Sequence, residues 1–257
     1  MSLNANGGLL LRRIKPTTIT CNSQQTGYEI TLALDPNPSI IFNSNAQTGN
    51  INMTFADVLP VPHAITLVNH NLPATATVQL KYYSDSGFTT LIGTLNMTRC
   101  EKNMYRIIDV GELPSINKYL RIVIDSKQTN FYIGVIFTSN VFQFPHNYSW
   151  GFDDELVCEK EVEVTDYGYT IETPGDDDAW SAPEYHKIRI SFDDVNRAYH
   201  SSFLQVIRPG KKVFFPSPAR GECYYGIVPD KTLKATKKQT GDTYSVNFQE
   251  DAIGESQ

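Results

Sequence analysis

The sequence contains no run of the about 20 consecutive apolar residues that a membrane-spanning helix needs, so no membrane insertion is expected. It has no G-x-S-x-G and no P-loop motif, which removes the usual motif arguments for a serine hydrolase or a nucleotide-dependent enzyme. The first 13 residues carry their two arginines after a short apolar run rather than before a longer one. That order does not predict a signal peptide.

Cysteine is also scarce. The four cysteines, Cys21, Cys100, Cys158 and Cys223, are far apart and form no C-x-x-C pair. A structural zinc site usually takes its ligands in close pairs, and disulfide scaffolds need a denser set of cysteines. We expect buried, reduced thiols, with no metal and no cofactor.

The sequence also has no excess of positively charged residues. Lys and Arg total 22 against 28 acidic residues, for a net charge of −6. Nucleic-acid binding needs clustered cations to neutralise phosphates. The main basic cluster, within residues 231–238, precedes Thr-Gly-Asp and indicates a solvated hairpin tip. No direct nucleic-acid binding is therefore expected.

Aromatic and turn residues are abundant, with 14 Tyr, 13 Phe, 14 Pro and 16 Gly. Tyr, Phe and β-branched residues favour strands, and frequent Gly and Pro mark turns. Residues 28–145 alternate apolar and polar side chains in short segments, beginning with Tyr28–Leu34. This spacing predicts a β-sandwich preceded by an N-terminal arm or edge strand at residues 1–27.

Residues 146–257 show a different pattern. Strand-like segments surround one stretch of helical periodicity, which predicts a helix at about 194–208 capped by Asp193 and Asp194 and ended by Pro209-Gly210. The sequence therefore predicts an all-β protein of two domains, the second containing one packed α-helix.

The run Val68–Leu72 (Val-Asn-His-Asn-Leu) and the hairpin Asp85–Thr90 (Asp-Ser-Gly-Phe-Thr-Thr) carry a family resemblance. They resemble discoidin-like, galactose-binding-like jelly-roll sandwich domains of tailed-bacteriophage tail proteins. The element order of residues 146–257 is similar to the split β-barrel of phage tail-tube and distal-tail proteins. The resemblance implies a sandwich at 28–145 followed by a tail-tube-like barrel.

The resemblance also implies a function. A distal-tail-like protein is a non-enzymatic structural component of the virion tail, at the tail tip, baseplate or collar, and is assembled in the host cytoplasm. Its expected partners are other copies of itself, in a ring that is expected to be a hexamer, and other tail proteins.

Two alternatives remain open. One is a carbohydrate-binding module that recognises a host-surface glycan through aromatic side chains near loops. The other is a glycan depolymerase using carboxylates such as Asp153, Asp154 and Asp176, although no repeat of a depolymerase β-helix is visible. The candidate contact residues are Tyr82, Tyr83, Phe88, Trp150 and Trp180, with Tyr148 as a further aromatic.

The corner formed by Asn69, His70 and Asn71 has two interpretations. Asn-His-Asn is turn chemistry, which favours a structural corner held by hydrogen bonds to backbone. Its other interpretation is a ligand-contacting or catalytic imidazole at His70.

Overall fold

The computed structural model describes residues 8–100, 102–113, 118–128, 130–143, 152–158, 162–164, 170–172, 184–195, 212–217, 222–229, 234–237 and 242–251. The chain divides into two compact units. The first comprises residues 1–147 and 212–225, and the second comprises residues 148–211 and 226–257. No helix in these described ranges is long and apolar enough to cross a membrane.

The described secondary structure is almost entirely strand. Up to residue 143 the strands are β1 (Gly8–Arg13), β2 (Thr18–Cys21), β3 (Phe42–Asn43), β4 (Thr48–Thr54), β5 (His63–His70), β6 (Thr77–Tyr83), β7 (Leu91–Asn96), β8 (Thr98–Cys100), β9 (Asn103–Ile108), β10 (Tyr119–Asp125) and β11 (Tyr132–Gln143). Later strands are β12 (Phe152–Cys158), β13 (Val162–Val164), β14 (Thr170–Glu172), β15 (Glu184–Val195), β16 (Lys212–Ser217), β17 (Glu222–Ile227), β18 (Lys234–Lys237) and β19 (Asp242–Glu250).

The first unit is a two-sheet sandwich. One sheet has the order β17-β16-β1-β11-β5-β9-β8, with β3 beside β11, and we call it the inner sheet. The other has the order β2-β4-β10-β6-β7, and we call it the outer sheet. Apolar side chains of both sheets form one core, including Leu67 and Ile133 from the inner sheet and Leu80 and Ile122 from the outer sheet.

The two-residue repeat of side chains along a strand explains which faces of the two sheets are buried. Along β10, Leu120, Ile122 and Ile124 are buried and alternate with partly exposed residues, so one face of the outer sheet meets the core and the other meets water. By contrast, β5 is buried at all eight positions. Its second face packs in another apolar cluster that includes Phe214 and Tyr225 from residues 212–225 of the same unit.

The segment predicted as the first strand, Tyr28–Leu34, is not a strand. Ile30–Leu34 is a short 3-10 helix. Its amides find local partners, since Leu32 N donates to Glu29 O at 3.0 Å and Asp35 N donates to Leu32 O at 2.9 Å. The buried residues are Ile30 and Ala33, three positions apart, which is the 3-10 repeat. The prediction was wrong because seven residues are too few to distinguish the two-residue repeat of a strand from the three-residue repeat of a 3-10 helix.

Residues 8–21, within the segment 1–27 that was predicted as an arm or edge strand, contribute strands to both sheets of the first unit. β1 lies between β11 and β16, and β2 is an edge strand next to β4. Backbone hydrogen bonds join this segment to the two sheets: Ile14 N donates to Thr138 O at 2.5 Å, and Thr17 N donates to Thr54 O at 2.7 Å. The described part of the segment is thus built into the sandwich.

In the second unit, β12, β15 and β19 are neighbouring antiparallel strands, β18 pairs with β19, and β13 pairs with β14. Asp193, Asp194 and Val195 lie at the end of β15. The proposed cap and first residues of the helix predicted at about 194–208 are therefore strand, and residues 196–208 lie outside the described residues. The tail-tube-like barrel stays a prediction.

Candidate functional site

The water-facing side of the outer sheet brings together side chains from three strands. Strand register places Arg121 of β10 opposite Asn52 of β4 on one side and opposite Lys81 of β6 on the other. The same register places Tyr119 opposite Tyr83. Since alternate residues of paired strands share one face, these residues lie on the side away from the core.

The Arg121 side chain is held from several directions. Its guanidinium carbon lies 5.1 Å from the ring centroids of both Tyr83 and Phe88, which is cation–π distance. Its Nε donates to Asn52 Oδ1 at 2.6 Å, and a terminal nitrogen reaches Tyr83 Oη at 3.5 Å. The guanidinium is thus positioned before any ligand arrives.

The aromatic rings also contact one another. Phe88 meets Tyr83 edge-on at a centroid distance of 5.6 Å, and it meets Tyr119 edge-on at 6.2 Å. Tyr83 is only 6% exposed, while Phe88 is half-buried. Phe88 therefore offers part of its ring to solvent. We call this set the aromatic–arginine cluster; its members are Asn52, Lys81, Tyr83, Phe88, Tyr119 and Arg121.

Phe88 reaches the cluster through an unusual backbone conformation. It has a φ of +54° in the turn between β6 and β7, a region that bulky residues rarely adopt and that costs about 1–2 kcal/mol. The Asp85 carboxylate fastens this turn by accepting hydrogen bonds from Thr90 N at 2.6 Å and from Thr89 N and Oγ1 at 3.1 and 3.0 Å. The strain is therefore localised at the residue that covers Tyr83.

The hydrogen bonds of that turn act on Asp85 itself. The backbone amide of Thr90 is the main group that lowers the pKa of the Asp85 carboxyl, with further contributions from Thr89. The carboxylate is thus charged at neutral pH, and its oxygens are already engaged by the turn. Asp85 holds Phe88 in place and leaves Arg121 to other partners.

The corner residues Asn69 and Asn71 face backbone groups. Asn69, with a φ of +53°, donates from Nδ2 to Pro38 O at 2.8 Å. Asn71 Oδ1 accepts from Tyr132 N at 2.8 Å. These contacts fasten the end of β5 to the surrounding chain.

His70 of the same corner is buried. It is 4% exposed, and neither ring nitrogen has a hydrogen-bond partner among the described residues. Burial lowers the pKa of His70 to about 4, and the positive charge of Arg99 also acts to lower it. An imidazole this enclosed offers no face to a ligand at the surface.

Tyr82 is a core residue, which corrects its place among the predicted contacts. It is 0% exposed, and its hydroxyl lies 2.9 Å from His63 Nε2. His63 Nδ1 lies 2.8 Å from Pro60 O, an acceptor, so Nδ1 carries the proton and Nε2 accepts from Tyr82. Val78, Leu80 and Tyr82 occupy alternate positions of β6 and are all buried. This alternation in the sequence is the signal that assigns Tyr82 to the core face and Tyr83 to the opposite face.

Among the predicted contacts, the structure brings Tyr83 and Phe88 together. Trp150, Trp180 and Tyr148 lie outside the described residues, as does Asp176. Asp153 and Asp154 lie in β12, and no cluster of three or more potential metal ligands occurs in the described ranges. Sequence analysis missed Asn52, Lys81, Tyr119 and Arg121, because only strand register joins residues so distant along the chain.

No protein-family model and no curated protein matches this chain. Solved structures that it resembles include the CBM32 of AlyQ in complex with 4,5-unsaturated mannuronic acid, at 13% identity and a TM-score of 0.39 over 50% of this chain and 98% of that chain. Another is the Streptococcus pneumoniae fucose-binding module SpX-3, at 15% identity and a TM-score of 0.39 over 51% of this chain and 98% of that chain.

A third is the lectin domain of lectinolysin complexed with Lewis B antigen, at 8% identity and a TM-score of 0.38 over 56% of this chain and 97% of that chain. At these identities and TM-scores the likenesses assign no family. The chain is an all-β protein with a two-sheet sandwich, and carbohydrate-binding modules are among the structures to which it is similar.

Proposed function

We propose that this protein binds glycans through the aromatic–arginine cluster. The observation that carries the proposal is the guanidinium of Arg121, which lies 5.1 Å from the ring centroids of both Tyr83 and Phe88 on the solvent-facing side of the outer sheet. Glycans present apolar C–H faces beside hydroxyl groups. An aromatic surface next to fixed hydrogen-bond donors and acceptors matches both parts.

Folding alone does not require this arrangement. The water-facing side of an antiparallel sheet is ordinarily polar, yet here a strained Phe88 is held over it by the Asp85 turn. Strained residues that the surroundings hold in place tend to occur at functional sites. The cluster has the features of a preorganised binding surface, which reduces the entropy lost when a ligand binds.

The first test is truncation of the half-exposed ring. Phe88→Ala is expected to weaken glycan binding by about tenfold or more, as loss of a central aromatic contact commonly does, while the fold is retained. A glycan array identifies a ligand for the wild type, and isothermal titration calorimetry then measures its affinity for both proteins.

Val110→Ala is the matched control, because Val110 is an apolar residue that is 80% exposed and lies outside the cluster. It should bind as the wild type does. A wild type that binds no glycan on the array, or a Phe88→Ala protein of unchanged affinity, would contradict the proposal. We expect binding without hydrolysis, so no new reducing ends should appear when the protein is incubated with its ligand.

The tail-assembly role is a separate proposal that rests on the resemblance of Val68–Leu72 and on element order. It places the protein in the tail of a phage virion, as a ring of identical subunits joined to other tail proteins. Light scattering coupled to size exclusion, followed by electron microscopy, should then find a closed ring, expected to be a hexamer. A monomer at high protein concentration would count against assembly and leave the glycan proposal intact.

A further inference from the structure

We propose that the glycan is acidic and that its carboxylate binds between Arg121 and Lys81. This inference rests on the proposed glycan binding and deepens it by naming the chemical class of the ligand. It follows from charge on the solvent-facing side of the outer sheet, from the way Arg121 is held, and from the position of Lys81.

The exposed side of the outer sheet is poor in acidic residues, although the whole chain has a net charge of −6. Register identifies the residues on this side in β2, β4, β6, β7 and β10. Asp125 is the only acidic one among them, and it forms an ion pair with Lys127. Outside the aromatic–arginine cluster and Asp125, the residues on this side are threonine, asparagine and glutamine, apart from the apolar Leu91 and Val123.

Asp125 is also distant from the cation pair. It lies four residues beyond Arg121 on the same strand, which is about 13 Å at the usual strand rise. Within the described residues, the two ion pairs are Arg106–Glu112 and Lys127–Asp125, so neither Arg121 nor Lys81 has a carboxylate partner there. The segment 114–117 that precedes β10 reads Pro-Ser-Ile-Asn and contains no acidic residue.

Arg121 and Lys81 are directly opposite each other on neighbouring strands. Cross-strand positions lie about 4.5–5.5 Å apart at Cβ, and like charges at such positions repel each other. An anion bound between the two side chains relieves this repulsion. A neutral ligand leaves it in place.

The geometry of Arg121 favours a planar anion. Arg121 Nε donates its hydrogen bond to Asn52, and one terminal nitrogen reaches the Tyr83 hydroxyl. The two rings lie beside the guanidinium. The other N–H groups of the terminal nitrogens have no hydrogen-bond partner among the described residues. A guanidinium edge with two free donors binds a carboxylate through two parallel hydrogen bonds. Lysine in its place supplies charge without that geometry.

The experiment compares acidic polysaccharides with their own neutral forms. Polygalacturonate, alginate and hyaluronan are each titrated into the full-length protein beside the same polymer after carboxyl reduction. We expect at least one acidic polymer to bind about tenfold or more tightly than its reduced form, and its binding to weaken as salt shortens the screening length. Equal affinity for both members of every bound pair would overturn the inference.

Variants then locate the carboxylate. Arg121→Gln and Lys81→Gln should each remove most of the preference for the acidic form, and Arg121→Lys should restore it only in part. Lys127→Gln removes a cation of equal charge from outside the cluster and should keep the full preference. Circular dichroism and thermal unfolding establish that each variant is folded, and a folded Lys81→Gln protein with an unchanged preference would contradict the role of the pair.

The two proposals fail differently. Binding of neutral glycans on the array, together with no preference for any acidic polymer, would overturn the acidic ligand and keep glycan binding. Absence of binding to both the array and the polymers would overturn both.

Discussion

Lowering the pH from 7 to 4 should destabilise the first unit by about 3 kcal/mol for each of two buried histidines, His63 and His70. Burial lowers the pKa of both from 6.5 to about 4. Well above pH 6.5 both histidines are neutral in the folded and the unfolded protein, and their contribution to stability is complete. As the pH falls from 6.5 towards 4, the unfolded chain takes up protons that the folded protein does not, so stability is lost.

Burial is the main reason that both histidines resist protonation, and each has a further one. His63 accepts from the Tyr82 hydroxyl through Nε2, and a proton on that nitrogen removes the acceptor. His70 lies near the positive charge of Arg99. Because globular domains are stable by only about 5–15 kcal/mol, the combined loss of about 6 kcal/mol is a large fraction of the stability that such a unit has.

Urea unfolding followed by fluorescence at pH 7, 6, 5 and 4 measures this loss. This window separates the two histidines from Asp85 and Asp125, because hydrogen bonds from the Thr90 amide and from the Lys127 side chain lower the pKa of those carboxyls, so that they affect stability only at more acidic pH. His63→Gln and His70→Gln should each be less stable at pH 7 yet have a shallower dependence on pH. A wild-type stability that is constant down to pH 4.5 would show that these histidines protonate freely in the folded state.

The second large effect is expected from Gly134→Ala, with a loss of about 2–3 kcal/mol in the free energy of unfolding. Gly134 lies in the buried strand β11, where an added Cβ would overlap the carbonyl oxygen of Pro38 and lie 3.1 Å from Asn69 Cβ. Neither neighbour moves easily, because Asn69 Nδ2 donates to that same carbonyl at 2.8 Å. The absence of a side chain at Gly134 thus allows the Pro38 loop to rest on the sheet.

Chemical unfolding of the variant beside Gly87→Ala tests this expectation. Gly87 lies in an exposed turn, where its added Cβ would lie 3.1 Å from Asp85 Oδ1 and 3.7 Å from Thr89 Cγ2. Both are side-chain atoms rather than backbone, so this control should lose much less stability than Gly134→Ala. An unchanged midpoint for Gly134→Ala would mean that the Pro38 loop has room to shift.

The strands of the sandwich were predictable because alternation is a local property. Val78, Leu80 and Tyr82 show the buried face of β6 within seven residues. The strand predicted at Tyr28–Leu34 was wrong, because its few apolar residues fit both the repeat of a strand and the repeat of a 3-10 helix. Only part of the aromatic–arginine cluster could be predicted from the sequence, namely Tyr83 and Phe88, which lie in one hairpin. Arg121 joins them only through strand pairing, which no local pattern specifies.

The return of residues 212–225 to the first unit has a consequence for biosynthesis. β16 pairs with β1, and Phe214 and Tyr225 cover apolar residues of the inner sheet such as Val68 and Val135. These strands leave the ribosome only after residues 148–211 have been made, a delay of roughly 3–13 s at ordinary elongation rates. During that interval the nascent sandwich exposes an apolar sheet face, which makes this stage of synthesis the one most open to chaperone binding and to misassociation between neighbouring chains.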